Sequence, residues 1–177
     1  MQQWNVVVTV HDFKRACDML GAFGRVKRTD FYNTLVIEVQ DVHNMLETLL
    51  RKSLEDHEFL KPVSRLIPVT STFVFQSPHE FESKASEAIM VWVSELAGKG
   101  FHVRMHRRGL KERLSGHAEE RMLDDILLEA LSKAGTPGHI SFEDPDAVIA
   151  VETVANRAGL SLWSRDQLKR YPFIRID

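Results

Sequence analysis

The first 67 residues alternate between strand-forming and helix-forming runs, and this order limits the folds open to the chain more than any other feature. A β-rich run from Trp4 to Val10 leads into a short helical pattern from Asp12 to Leu20, which glycines close. Arg25 to Arg28 and Thr34 to Val39 flank a turn and predict a hairpin. A longer helix follows, and Val63 to Ile67 supplies the last strand. The predicted order is βαββαβ, which is the ferredoxin-like plan.

A second unit is predicted from Pro68 onwards. Ser77-Pro78-His79-Glu80 is a capping box that opens a helix, and Met122 to Ala134 forms the apolar stripe of another. Strands are predicted at Val69 to Phe75, Phe101 to His106, Ile140 to Phe142, Ala147 to Val154 and Leu160 to Trp163. The predicted fold class is α/β (α+β), with domains at 1–67 and 68–177 that pack rigidly because no flexible linker separates them.

The run from Phe101 to Arg113 begins as a strand and ends as a cluster of cations. Its apolar residues alternate with polar ones, so the polar set, His102, Arg104 and His106, is predicted to face solvent. One acid, Glu112, lies among the cations that follow, and guanidinium groups match phosphate oxygens well. The run predicts an anion-binding surface, with a solvated basic loop as the alternative.

Composition limits where such a surface can lie. The formal net charge of the 177 residues is -2, so any basic surface is local. Cys17 is the sole cysteine, which excludes an intramolecular disulfide and a cysteine zinc site and predicts a buried apolar role. No apolar run is long enough for a bilayer span and no signal-peptide core is present, so a cytoplasmic protein without a membrane partner is expected.

Four stretches in order carry a resemblance to a known family. They are RLIPVTSTF at Arg65 to Phe73, FHVRMHRRG at Phe101 to Gly109, FEDPDAVIAVETV at Phe142 to Val154, and GLSLWSRDQLKRYPFIRID to the end. The segment from about Arg65 to Asp177 resembles a THUMP domain, an RNA-binding module of tRNA-modifying systems. Within that superfamily the chain is most similar to stand-alone tRNA-binding adaptors of tRNA cytidine acetyltransferase. The resemblance implies tRNA as a partner, bound at its acceptor end by both domains, and a separate subunit that forms N(4)-acetylcytidine.

The candidate RNA-binding residues come from both halves of the chain. Those of the second half are Arg104, His106, Arg107, Arg108, Lys111, Arg113 and Arg157, and those of the first half are Arg15, Arg25, Lys27 and Arg28. No contiguous aromatic platform is evident, and Phe142 is among the aromatic residues predicted to lie in the core. Trp163, Tyr171 and Phe173 are left open between the core and stacking on an unpaired base.

No motif predicts catalysis, a metal or a cofactor. The chain lacks a G-x-G-x-x-G and a P-loop lysine motif, and His102 and His106 on one strand lie about 13 Å apart, too far to share a metal. Asp144 and Asp146 are predicted turn residues, and Glu152 a structural partner for a cation, with a catalytic acid as the alternative. Because no catalytic domain follows, the chain is predicted not to be an enzyme. The competing function is a small-molecule-binding regulator or small enzyme on a ferredoxin-like fold.

Overall fold

A computed structural model describes residues 3–177, which form two compact units. The first unit runs to Pro68 and also contains Leu168–Arg175. The second unit comprises Val69–Gln167 and Ile176–Asp177. Within residues 3–177 no helix is both long and apolar enough to cross a membrane.

The first unit holds a four-stranded sheet with two helices. Its elements are β1 (Val6–Val10), α1 (Phe13–Leu20), β2 (Gly24–Arg28), β3 (Thr34–Val39), α2 (Val42–Glu55) and β4 (Val63–Pro68). The strand order is β2-β3-β1-β4, and every neighbouring pair is antiparallel. This order is the one expected of a βαββαβ chain, so the predicted fold class is confirmed here.

The helices of the first unit begin where short acidic side chains cap them. Asp12 accepts the backbone N–H of Arg15 at 3.1 Å, and Asp41 accepts that of Asn44 at 2.9 Å. Each helix then buries an apolar stripe, which in α2 includes Met45. The caps satisfy N–H groups that the first helical turn leaves without a partner.

The segment Leu168–Arg175 completes the first unit. The N–H of Leu66 donates to the carbonyl of Phe173 at 3.1 Å, and Tyr171 donates its hydroxyl to Glu47 at 2.6 Å. Arg170 holds the same carboxylate at 2.7 Å, and the hydrogen bond from Arg170 lowers the pKa of Glu47 to about 2. Tyr171 and Phe173 are buried, so neither is available to stack on a base. Of the two roles left open for them, the structure supports the core.

The second unit holds a five-stranded mixed sheet. Its elements are β5 (Ser71–Val74), α3 (Pro78–Ile89), a single 3₁₀ turn (Met90–Trp92), β6 (Gly100–His106), α4 (Gly116–Lys133), β7 (His139–Ile140), β8 (Ala147–Val154), β9 (Arg157–Ser164) and α5 (Arg165–Arg170). The strand order is β5-β9-β8-β6-β7, with β6 parallel to both β7 and β8. The remaining pairs are antiparallel. Phe81, Phe101, Leu127 and Ile149 belong to the core of this unit.

Two sequence predictions in the second unit are wrong in detail. The turn expected at Asn156 to Gly159 is shorter, because Val154 already pairs with Arg157 and leaves two residues between the strands. Ala155 adopts the left-handed region there, with φ of 53°. Phe142 was predicted to lie in the core, yet it is 62% exposed, because β7 ends at Ile140 and the chain leaves the sheet before Phe142. Trp163 is buried and donates its indole N–H to Ser161.

Candidate nucleic-acid interface

Strand β6 begins the candidate interface, and its position in the sheet decides which of its polar side chains reach solvent. His102 was predicted to face solvent, but it is fully buried. Its Nδ1 lies 2.8 Å from the Ser141 carbonyl and its Nε2 lies 3.2 Å from Oδ1 of Asp177. The prediction is wrong because β6 is an internal strand whose second face is covered by residues that follow β7 and by the last residues of the chain.

The other two polar residues of β6 are also held by the protein. Arg104 donates its Nε–H to Asp177 at 2.6 Å, and its side chain is 30% exposed. His106 Nε2 lies 2.7 Å from the carbonyl of Ile176. Burial alone would raise the pKa of Asp177, but the hydrogen bond from Arg104 and the charge of His102 lower it below its ordinary value. The face of β6 that carries His102, Arg104 and His106, which we call its cationic face, therefore already binds the carboxylate of Asp177.

Two acidic side chains of α4 accept backbone N–H groups of β6 where β7 no longer pairs with it, and the sequence analysis did not predict this role. Strand β7 pairs with β6 only at Gly100 and Phe101. Beyond that point Asp124 accepts the N–H of Val103 at 3.0 Å, and Glu120 accepts the N–H of Met105 at 2.9 Å. Burial raises the pKa of Asp124 to about 6. The sequence signal was an acid inside the apolar stripe of α4.

Arg108 is committed to a buried partner. Its Nη1 donates to Glu152 at 2.7 Å, and the side chains of Arg108 and Glu152 are 13% and 0% exposed. The backbone N–H of Arg108 donates to the hydroxyl of Thr153 at 3.1 Å. Glu152 thus has the cation partner that the sequence analysis expected. Arg108 was a candidate RNA-binding residue, but its side chain is turned to the core, because the central strand β8 places a carboxylate there that needs a cation.

The segment 107–113, which we call the basic loop, presents cations differently. Arg107 donates Nη1 to the carbonyl of Gly109 at 2.8 Å, so its guanidinium braces the loop. Gly109 and Leu110 both adopt positive φ, at 93° and 55°, and turn the chain away from β6. Lys111 and Arg113 are exposed, as is Glu112 between them, and an Nη2 of Arg113 lies 3.5 Å from the Gln76 carbonyl. The basic loop therefore presents its terminal cations to solvent.

The remaining candidates lie outside the basic loop. Arg157, at the start of β9, donates to the Thr72 hydroxyl at 2.8 Å, and burial lowers its pKa. In the first unit Arg15 lies on α1, whereas Lys27 and Arg28 lie on β2 with Arg25, and all four are exposed. The guanidinium of Arg28 sits 4.2 Å from the ring centroid of Phe13, the first residue of α1.

No metal or paired-carboxylate centre emerges from the part of the chain that the structure describes. No three His, Cys, Asp or Glu side chains within residues 3–177 are placed so that they could hold a metal ion. Asp146 accepts the N–H of Gly100 at 2.8 Å, and Arg165 lies 3.0 Å from Asp144 and 3.4 Å from Asp146. The sequence analysis predicted turn residues here, and the structure adds the ion pairs with Arg165, which were not predicted.

Comparison with known proteins shows the fold. No family model and no curated protein matches the chain. Among solved structures it is similar to TrmN from Thermus thermophilus, with TM-score 0.61, 15% identity and coverage of 90% of this chain and 45% of that one. A possible methylase from Clostridium difficile 630 has TM-score 0.55 and 12% identity, over 90% and 40%. A 4-thiouridine synthetase in complex with RNA and bound ATP has TM-score 0.52 and 13% identity, over 92% and 42%. The chain therefore shares its α/β fold with these solved structures.

The same structures correct one prediction. The sequence analysis predicted that the chain is not an enzyme. That prediction is wrong: the structures with this fold include a synthetase with bound ATP and a possible methylase. The chain spans less than half the length of each structure compared. The likeness shows a shared fold, and that fold occurs in enzymes.

Proposed function

We propose that this chain binds tRNA through the basic loop of its second unit and delivers it to a catalytic centre that modifies it. The observation that carries the proposal is the outward presentation of Lys111 and Arg113 on a loop that Arg107 braces. Lysine and arginine side chains at fixed positions suit phosphate oxygens, and each phosphate contact releases counterions. The fold shared with a synthetase crystallised on RNA supports RNA as the ligand.

The acceptor end is the part of tRNA that the resemblance implies, with the first unit as a second contact. Arg15, Lys27 and Arg28 are the cations that the first unit would supply, and all are exposed. Phosphate contacts carry little sequence information, so recognition by these residues would follow the shape and backbone of the RNA. The binding test is a gel shift with intact tRNA and with tRNA that lacks its 3′ terminal nucleotides. Equal affinity for the two RNAs would contradict acceptor-end binding.

A tRNA cytidine acetyltransferase is the first candidate for the catalytic centre, because the chain resembles adaptors of that enzyme. Methyl transfer is the second candidate, because a possible methylase shares the fold. The two are separated by nucleoside analysis of tRNA from cells with and without the gene for this chain. Loss of N(4)-acetylcytidine supports the first, and loss of a methylated nucleoside supports the second. An unchanged nucleoside profile would contradict a role in modification.

A further inference from the structure

An exposed aromatic ring lies beside the cationic face of β6, where the sequence predicted none. Phe142 is 62% exposed, and its ring centroid lies 5.3 Å from that of His102. His102 is fully buried and is held from both ring nitrogens, by Ser141 and by Asp177. Phe142 is thus a large apolar surface in water that rests on a side chain of fixed orientation. A single exposed apolar side chain is common on protein surfaces, so the surroundings of this ring decide whether it could contact a ligand.

A cavity of about 330 Å³ opens next to this ring. Its lining combines Phe142 and Ile140 with two arginines, Arg104 and Arg121, and with carboxylates of α4 that include Asp124 and Asp125. Sites for small ligands have volumes from about 300 Å³ upwards, so this cavity suits a single small group rather than a peptide. The lining therefore offers an apolar face, positive charge and hydrogen-bond acceptors at one place.

This set of groups selects a particular kind of ligand. An aromatic side chain stacks on any base, and the exposed Arg121 can hold the phosphate attached to it. Carboxylates accept hydrogen bonds from the exocyclic amino group of cytosine, whereas the carbonyl at the same position of uracil offers them only another acceptor. Asp124 carries a pKa raised to about 6 by burial and is still mainly ionised at pH 7.5, so it acts as an acceptor there. The chemistry favours a base that bears an amino group.

We propose that this cavity takes one unpaired nucleobase with an exocyclic amino group, stacked on Phe142 and hydrogen-bonded to the carboxylates of α4. The inference rests on the proposed RNA-binding function and adds a base-reading site to the phosphate contacts of the basic loop. It distinguishes two contributions to binding. The basic loop supplies affinity that depends on salt, and the Phe142 cavity supplies preference among bases.

The test uses the full chain with intact tRNA and with hexamers of cytidylate and uridylate as probes. Phe142→Ala removes the stacking surface, Phe142→Trp restores it, and Tyr32→Ala removes another exposed aromatic ring, 91% exposed, from the first unit. We expect Phe142→Ala to weaken cytidylate binding about 5- to 100-fold and to abolish the preference for cytidylate over uridylate. Phe142→Trp and Tyr32→Ala should bind as the unchanged chain does. Melting curves confirm that the variants remain folded.

Each outcome separates the two proposals. If the unchanged chain binds neither tRNA nor the hexamers, the proposed function itself fails. If the unchanged chain binds tRNA but Phe142→Ala binds cytidylate as tightly as the unchanged chain, the base site is overturned and the proposed function stands. The same holds if Tyr32→Ala loses as much affinity for cytidylate as Phe142→Ala. Equal binding of cytidylate and uridylate by the unchanged chain would also overturn the base site, since the carboxylates would then not discriminate between the two bases.

Discussion

Strand β6 and the basic loop are neighbours in sequence and both rich in cations, yet the fold treats their charges in opposite ways. On β6, Arg104 pairs with Asp177, and Arg108 at the start of the basic loop still pairs with the buried Glu152. Further along the basic loop, Lys111 and Arg113 are exposed. A charge on an internal strand must be neutralised within the protein, whereas a charge beyond a turn need not be. Proximity in sequence to a basic motif is therefore a poor guide to which cations are available to RNA.

The largest expected effect comes from breaking the buried pair. Arg108→Ala leaves the carboxylate of Glu152 buried without its ion-pair partner, and we expect it to lower the free energy of unfolding by about 3–5 kcal/mol. Urea denaturation measures this. The double variant Arg108→Met/Glu152→Leu removes both charges and should be clearly more stable than Arg108→Ala. A loss below about 1 kcal/mol in Arg108→Ala would mean that Arg108 behaves like the exposed cations Lys111 and Arg113.

A second buried carboxyl group, that of Glu119, should affect the stability of the chain but not its affinity for tRNA. Burial and a hydrogen bond with Glu82 raise the pKa of Glu119 to about 7 from its ordinary 4.5. The folded state therefore holds a proton that the unfolded state has lost, and stability falls as the pH rises from about 4.5 to 7. Glu119→Gln should remove most of this fall and stabilise the chain at pH 8 by about 1–3 kcal/mol. Unfolding curves at pH 5 and pH 8 check this.

The control for that prediction is the affinity of the variant for tRNA. Glu119 lies on α4, and Glu119→Gln should leave tRNA affinity at pH 8 unchanged within twofold. A parallel fall in stability with pH in both the unchanged chain and Glu119→Gln would contradict the assignment.

The order of elements could be predicted from the sequence because local patterns fix it. The caps at Asp12, Asp41 and Ser77 and the glycines after α1 act within a few residues of the elements that they begin or end. The placement of charges could not be predicted in the same way. The partner of His102 and Arg104 is Asp177, more than seventy residues away, and only the tertiary fold brings them together. Phe142 was misassigned for the same reason, since the end of β7 depends on pairing with β6.

The first unit offers a smaller effect on binding. We expect Arg15→Ala/Arg28→Ala to weaken tRNA binding about threefold to tenfold, because each substitution removes one phosphate contact at most. Lys14→Ala/Lys52→Ala removes two exposed cations of the same unit and serves as the matched control. Fluorescence anisotropy with labelled tRNA measures both. Equal affinity of Arg15→Ala/Arg28→Ala and the unchanged chain would mean that the second unit carries RNA binding without these residues.

The smallest effect tests whether a paired cation can be converted into an available one. Asp177→Asn removes the acid that Arg104 holds, and the side chain of Asp177 is 50% exposed, so the stability cost should stay below about 1 kcal/mol. We expect tRNA affinity to rise about twofold to fivefold, because Arg104 loses its closer carboxylate and keeps the more distant one of Glu120 at 3.9 Å. Asp166→Asn, an exposed acid of α5, removes the same charge away from Arg104 and should change affinity less. Identical gains in the two variants would show a general charge effect only.

The dependence of tRNA affinity on salt tests the central claim most directly, namely that the exposed cations of the basic loop hold RNA phosphates. Log affinity is measured against log salt for the unchanged chain, for Lys111→Ala/Arg113→Ala and for Lys99→Ala/Lys133→Ala, which removes two exposed cations elsewhere in the second unit. We predict that the first pair weakens binding at least tenfold and reduces the slope by about 1.4 to 1.8, one phosphate for each cation, while the second pair leaves both unchanged. Equal slopes for all three proteins would contradict the claim.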